Sequence, residues 1–150
     1  MKSFLQRLYS LTLVALQLGA LIYLVLTGPL IARDMPLFLL QLVGVLIALA
    51  ALWRMSGTRW RILPDPHPRG RLITSGIYRR IRHPMYASVL LIAAAWVMIL
   101  PQPDRALAWL LLFLVLWLKM RMEEHLLEAK FGDKYRRYCN ATHRLLPSVM

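Results

Sequence analysis

The chain has 150 residues, enough for one domain and not two. Apolar side chains make up 59% of it and charged ones only 17%, which leaves too little polar surface for a soluble domain of this size. The net charge is nevertheless +12, and a greasy yet basic chain reads as a helical membrane protein with basic loops beside an anionic leaflet, not as a nucleic-acid binder.

The first apolar segment, about residues 4–26, is long enough to cross a bilayer core of ~30 Å at 1.5 Å per residue. Only Lys2 and Arg7 precede or enter it, and no small-residue cleavage site follows, so it reads as a retained span and not a removed leader. Gly28-Pro29 ends it. The second segment, residues 35–53, follows a short loop and is expected to form an antiparallel hairpin with the first. The third and fourth, residues 85–100 and 106–120, are shorter and joined by Pro101-Gln102-Pro103-Asp104, with Asp104 the expected N-cap. Beyond the fourth span the helix should run on to about Lys130, with Met122, Leu126, Leu127 and Phe131 as its apolar face. Gly132 suits the C-cap, and Asp133 can cap a short helix carrying Tyr135 and Tyr138.

Charge sets the orientation. Arg54, Arg59, Arg61, Arg69, Arg71, Arg79, Arg80 and Arg82 crowd the loop between the second and third spans, opposed by Asp65. The tail beyond the fourth span adds another basic run, whereas the opposite loops hold only Arg33 and Arg105, each beside an aspartate. Both termini and the 54–83 loop should therefore face the cytoplasm. The expected fold class is an all-α integral membrane protein of about four spans, a single domain over 1–150.

Chemistry must then use the loop and the tail. The sequence has no GxGxxG, GxxxxGK, CxxC or HExxH. One cysteine, Cys139, excludes an internal disulfide, and His125 lacks a second histidine at ligand spacing, so no metal site is expected. Pro84 fixes its own φ, turns His83 away from helical geometry and suits the first position of the third helix. Arg82 and His83 then lie at the positive end of that helix, where an anion is favoured, although head-group anchoring explains either residue alone. Glu123 and Glu124 follow the fourth span directly. Lys119 stands four residues before Glu123 and Arg121 three before Glu124, so both pairs can meet on a helix face. As surface pairs they would contribute under ~1 kcal/mol each, but carboxylates at membrane depth are costly and more often functional.

The order Gly70-Arg71-Leu72-Ile73, Tyr78, Arg82-His83-Pro84-Met85-Tyr86, then Glu123-Glu124, Phe131-Gly132, Tyr135, Tyr138 and Pro147 resembles the isoprenylcysteine carboxyl methyltransferase family and its phospholipid methyltransferase relatives. The resemblance covers residues 70–147. It implies a membrane enzyme using S-adenosyl-L-methionine and releasing S-adenosyl-L-homocysteine, with the donor held between the last membrane helices and the cytoplasmic tail. It further implies that Gly70, Arg71, Leu72, Ile73, Tyr78, His83, Pro84, Met85, Tyr86, Glu123 and Glu124 contact the donor. The family pattern has an acceptor-binding arginine four residues before the glutamate. Lys119 occupies that position here, with Arg121 the nearest arginine, so Glu123, Lys119 and Arg121 are the catalytic candidates. The implied partner is a lipophilic acceptor drawn from the bilayer: an isoprenylcysteine-like carboxylate first, a phospholipid amine or a small thiol as alternatives. The competing reading is a non-catalytic scaffold whose basic loop binds anionic lipid.

Overall fold

The computed structural model describes residues 2–55 and 72–145, and all regular structure among them is helical. Four long helices, α1 (Lys2–Leu26), α2 (Met35–Met55), α3 (Pro84–Ile99) and α4 (Pro103–Phe131), precede a short α5 (Asp133–Asn140). A single 3-10 turn over Gly76–Arg79 leads into α3. The expected contacts of Gly70 and Arg71, and the closing Pro147, lie outside the described residues.

Two helices, Gln6–Leu26 within α1 and Met35–Met55, are long and apolar enough to cross a bilayer. Little of either is covered by protein: Leu18, Ile22, Val43, Leu46 and Leu49 all face outward. Uninterrupted exposed apolar surface of this kind suits hydrocarbon and not water, which fits a membrane protein. At 16 residues α3 spans about 24 Å. The helix of the fourth segment runs on past the glutamates as expected: α4 is unbroken for 29 residues from Pro103 to Phe131.

The packing order differs from the chain order. The expected α1–α2 hairpin is not a packed pair: α1 lies along α4 and α2 along α3. The heptad-like series Ser10, Leu13, Gln17, Ala20 and Leu24 turns one stripe of α1 toward α4, and Ser10 reaches Met122 while Leu24 reaches Arg105. On α2, Gly44 allows close approach to α3, since a Cβ there would sit 2.7 Å from Ile92 Cγ1. Ala20, Leu24, Leu90, Ala93, Leu112 and Leu116 form the core between α1, α3 and α4.

Arg105 explains this order at one end of the bundle. The sequence reads it as a loop charge beside Asp104, but its side chain is wholly buried. Its Nη1 donates to Leu24 O at 3.2 Å and Thr27 Oγ1 at 2.7 Å, and its Nη2 donates to Trp96 O at 2.8 Å. Leu24 and Trp96 lie in the last turns of α1 and α3, whose final carbonyls have no partner within the helix. One guanidinium thus closes two helix ends and sits at the negative pole of both dipoles. Asp104 accepts from Tyr23 instead of capping α4; the N-cap position belongs to Gln102. Likewise Gly132, at positive φ, precedes α5 where Asp133 was the expected cap.

Gly28 lies against this guanidinium, and a Cβ there would fall 2.5 Å from Arg105 Nη1. Gly28→Ala should therefore destabilise the fold by about 1–3 kcal/mol. Thermal unfolding of purified protein in detergent checks it, with the helical signal at low temperature expected unchanged.

Candidate active site

At the other end of the bundle, Pro84 is the first residue of α3 and holds His83 at φ −122° and ψ 59°, outside helical geometry. That frees the backbone of residues 80–83 to pair with the tail. Arg82 N donates to His143 O, His83 N to Arg144 O, and His143 N to Arg80 O, at 2.8, 3.0 and 3.0 Å. The result is an isolated parallel bridge between Ile81 and His143, the only strand-like feature among the described residues. Gly76, at φ 64°, makes the turn ahead of it, and a Cβ there would meet the Arg54 side chain of α2 at 2.4 Å.

Glu124 is the centre of this cap. Arg82 Nε lies 2.9 Å from its Oε1, His83 Nε2 3.4 Å from the same oxygen, and Arg144 grips Oε2 through Nε and Nη2 at 3.0 and 2.9 Å. Arg82 Nη1 also donates to Cys139 O at 3.0 Å and to Thr142 O, closing the C-terminus of α5. Arg144 lies over the Trp117 ring, 5.3 Å from its centroid. Burial disfavours the charged carboxylate, but the hydrogen bonds from His83, Arg144 and Arg82 outweigh it and hold Glu124 at about 2, below its ordinary 4.5. The expected Arg121–Glu124 pair does not form: Glu124 turns inward to the cap while Arg121 is exposed.

Glu123 differs from its neighbour. Its side chain is 32% exposed, against 12% for Glu124. Tyr86 donates its hydroxyl to Glu123 Oε2 at 3.2 Å, and His83 Nδ1 lies 3.8 Å from the same oxygen. The His83 and Tyr86 rings are nearly parallel, 5.5 Å apart. Lys119 sits beneath, 3% exposed, with Nζ 5.5 Å from the Tyr86 centroid. It does not pair with Glu123 as the spacing suggests. Its Nζ bonds Gln17 Oε1 of α1 at 2.6 Å instead.

Tyr78 ties this group to the neighbouring elements. Its hydroxyl donates to Met55 Sδ of α2 at 2.9 Å, and its carbonyl accepts the Tyr138 hydroxyl at 2.7 Å. Burial pushes Tyr78 above the ordinary phenol range with help from Glu123, and raises Tyr138 to about 12 against the pull of Arg82. Both are neutral hydrogen-bonding groups at neutral pH. Leu72 and Ile73 are half-buried ahead of the 3-10 turn, Pro84 is buried and Met85 half-buried.

The structure thus gathers Tyr78, His83, Tyr86, Lys119, Glu123 and Glu124 at one end of the bundle and leaves Arg121 on the surface. Sequence reasoning gave no specific place to Arg144, one tail cation among several, or to the Tyr138 hydroxyl on Tyr78. Nothing in the local sequence marks Arg144. Gln17 had a faint signal, being one of three glutamines, with Gln6 and Gln41, in the first two spans.

Residues 36–134 match the family model described as phospholipid methyltransferase. The chain belongs to the phospholipid methyltransferase family. It is similar to probable protein-S-isoprenylcysteine O-methyltransferases of Oryza sativa subsp. indica and subsp. japonica. Each is 35% identical over 83 residues, which is 53% of this chain and 42% of the relative. It is also similar to an uncharacterized protein of Haemophilus influenzae, at 42% identity over 66 residues, 41% of this chain and the whole of that protein. The chain therefore spans less than half the length of the rice relatives. The family match takes in His83, Tyr86, Lys119 and both glutamates, whereas Gln17 of α1 and the Arg144 strap lie outside it.

Proposed function

We propose that this chain is a multi-pass membrane methyltransferase that takes its methyl group from S-adenosyl-L-methionine and delivers it to a small lipophilic acceptor. In this reading residues 4–26, 35–53, 85–100 and 106–120 sit in the bilayer with Glu123 and Glu124 beyond the last of them, both termini face the cytoplasm, and residues 70–147 form the donor-binding half. The observation that carries it is the meeting of Glu123 with His83 and Tyr86 inside the segment that matches the family.

The residues fit such a donor by chemical type. A partly exposed carboxylate suits an ammonium group or a ribose hydroxyl, and an aromatic face suits a sulfonium. Bound there, S-adenosyl-L-methionine supplies a methyl group activated by positive sulfur. Glu123 holds the donor by its charged or hydroxyl groups, with its carboxylate oriented by the Tyr86 hydroxyl. His83 is packed between the two glutamates and fixes the Tyr86 ring by stacking. Glu124 has its oxygens taken by Arg82, His83 and Arg144, so it closes the cap instead of meeting the donor. A site shielded from water when donor and acceptor are bound favours transfer to an anion, because charge is neutralised on the way to the transition state. Alignment of acceptor, methyl and sulfur provides most of the rate gain.

A buried ammonium, Lys119, favours an acceptor with an anionic group, and an isoprenylcysteine-like carboxylate is the first choice, in line with the names of the rice relatives. The family description supports the second, a phospholipid amine. Incubation with methyl-labelled donor and either prenylcysteine analogues or total lipid extract separates them. Ester formation gives label released as volatile methanol by mild base. Label that migrates with phospholipid before base treatment and is not released as methanol by it would replace the carboxylate reading with N-methylation.

A further inference from the structure

Lys119 and Glu123 are spaced to pair along one face of α4, yet they make no direct ion pair, although Glu123 still attracts the ammonium through space. Opposite charges at i, i+4 attract on a helix, less so with the cation first as here, and the attraction is stronger where water is scarce. Lys119 Nζ instead reaches across to α1 and bonds the neutral amide oxygen of Gln17 at 2.6 Å, with the Tyr86 ring on another side. Glu123 keeps Tyr86 and His83 as partners. A neutral amide wins over a carboxylate one turn away because it is built into the α1 stripe packed against α4, between buried Leu13 and buried Ala20. An ammonium has three donors and no acceptor, so a fixed acceptor determines where it points.

We infer that Gln17 is a positioning residue: by holding the Lys119 ammonium toward α1, it keeps Glu123 from being neutralised by its own helix neighbour. This rests on the reading of Glu123 as a donor-binding carboxylate. It assigns to α1, which lies outside the family match, a part in the site beyond packing. Without Gln17, the Lys119 side chain turns one helical turn toward Glu123 and occupies the carboxylate that the donor requires. Lys119 and Glu123 then satisfy each other at the expense of the ligand.

The test is calorimetry with S-adenosylhomocysteine on detergent-purified full-length protein. Gln17→Leu should weaken binding roughly tenfold, the order of one charge-assisted contact. Gln17→Glu, which still offers Lys119 an acceptor on α1, should bind within about twofold of the parent. The deciding variant is the double substitution Gln17→Leu with Lys119→Met. Removal of the competing ammonium should restore affinity, a recovery that damaged packing of α1 against α4 does not produce. Equal affinity in parent and Gln17→Leu overturns the inference, as does a double variant no tighter than Gln17→Leu alone. A parent protein that binds no S-adenosylhomocysteine overturns the functional reading itself, and the positioning role with it.

Discussion

Glu123→Gln should cut methyl transfer by up to about 100-fold while leaving the fold intact. The substitution keeps the size and one hydrogen-bond acceptor but removes the charge, and a hydrogen bond to a charged group contributes ~1.5–3 kcal/mol, about a tenfold rate change per 1.4 kcal/mol. The fold should tolerate it because Glu123 is partly exposed and, among the described residues, makes one hydrogen bond at 3.2 Å and a longer His83 contact. Initial-rate assays with labelled donor, beside a thermal melt of the same preparation, check both halves. A variant that melts early as well as losing rate would show Glu123 to be a structural residue.

Glu124→Gln should do the reverse and loosen the cap. Arg82 and Arg144 converge on this carboxylate with side chains only 10% and 31% exposed, so its loss leaves two guanidinium groups partly buried without their counter-ion. Breaking a buried pair of this kind costs about 3 kcal/mol. Backbone protection shows it locally: the Arg82, His83 and His143 amides that tie the 80–83 segment to the tail should exchange faster with deuterium in the variant.

The same carboxylate sets a pH dependence. Its pKa in the fold is about 2 and its ordinary value 4.5, so the folded state favours the ionised form. The stabilisation, about 3 kcal/mol, is complete above pH 4.5 and is lost as pH falls from there through about 2. Protection of the tail amides, corrected for intrinsic exchange rates, should decline across that window in the parent protein and be flat in Glu124→Gln.

Much of the helical layout was legible in the sequence, since long apolar runs and the Pro84, Gly132 and Gly28-Pro29 breaks follow local rules. Pro84 begins α3 and Gly132 ends α4 for those reasons. The partners of the helices were not legible. Both α1 and α2 are mostly apolar, and the few polar groups of α1 such as Ser10 and Gln17 do not name a partner, so periodicity does not say which neighbour each helix meets. Arg105 ties α4 to the ends of α1 and α3, and that reach is a tertiary fact. The site shows the same division. His83, Tyr86 and Glu123 stand out as motif residues abutting spans, but helix spacing alone gives Glu123 to Lys119 and Glu124 to Arg121. The fold gives neither pair, because Gln17 and the Arg144 strap arrive from residues far away in the chain.

We propose that the turn before Pro84 and the acidic segment of α4 bind one methyl donor together. Calorimetry with S-adenosylhomocysteine on the parent, on His83→Ala and on Glu123→Ala tests it without any knowledge of the acceptor. Saturable one-to-one binding to the parent is expected, with at least tenfold weaker binding to each variant, the order of a lost charge-assisted contact. Binding of equal strength in all three proteins would contradict it and move the donor site elsewhere in the molecule.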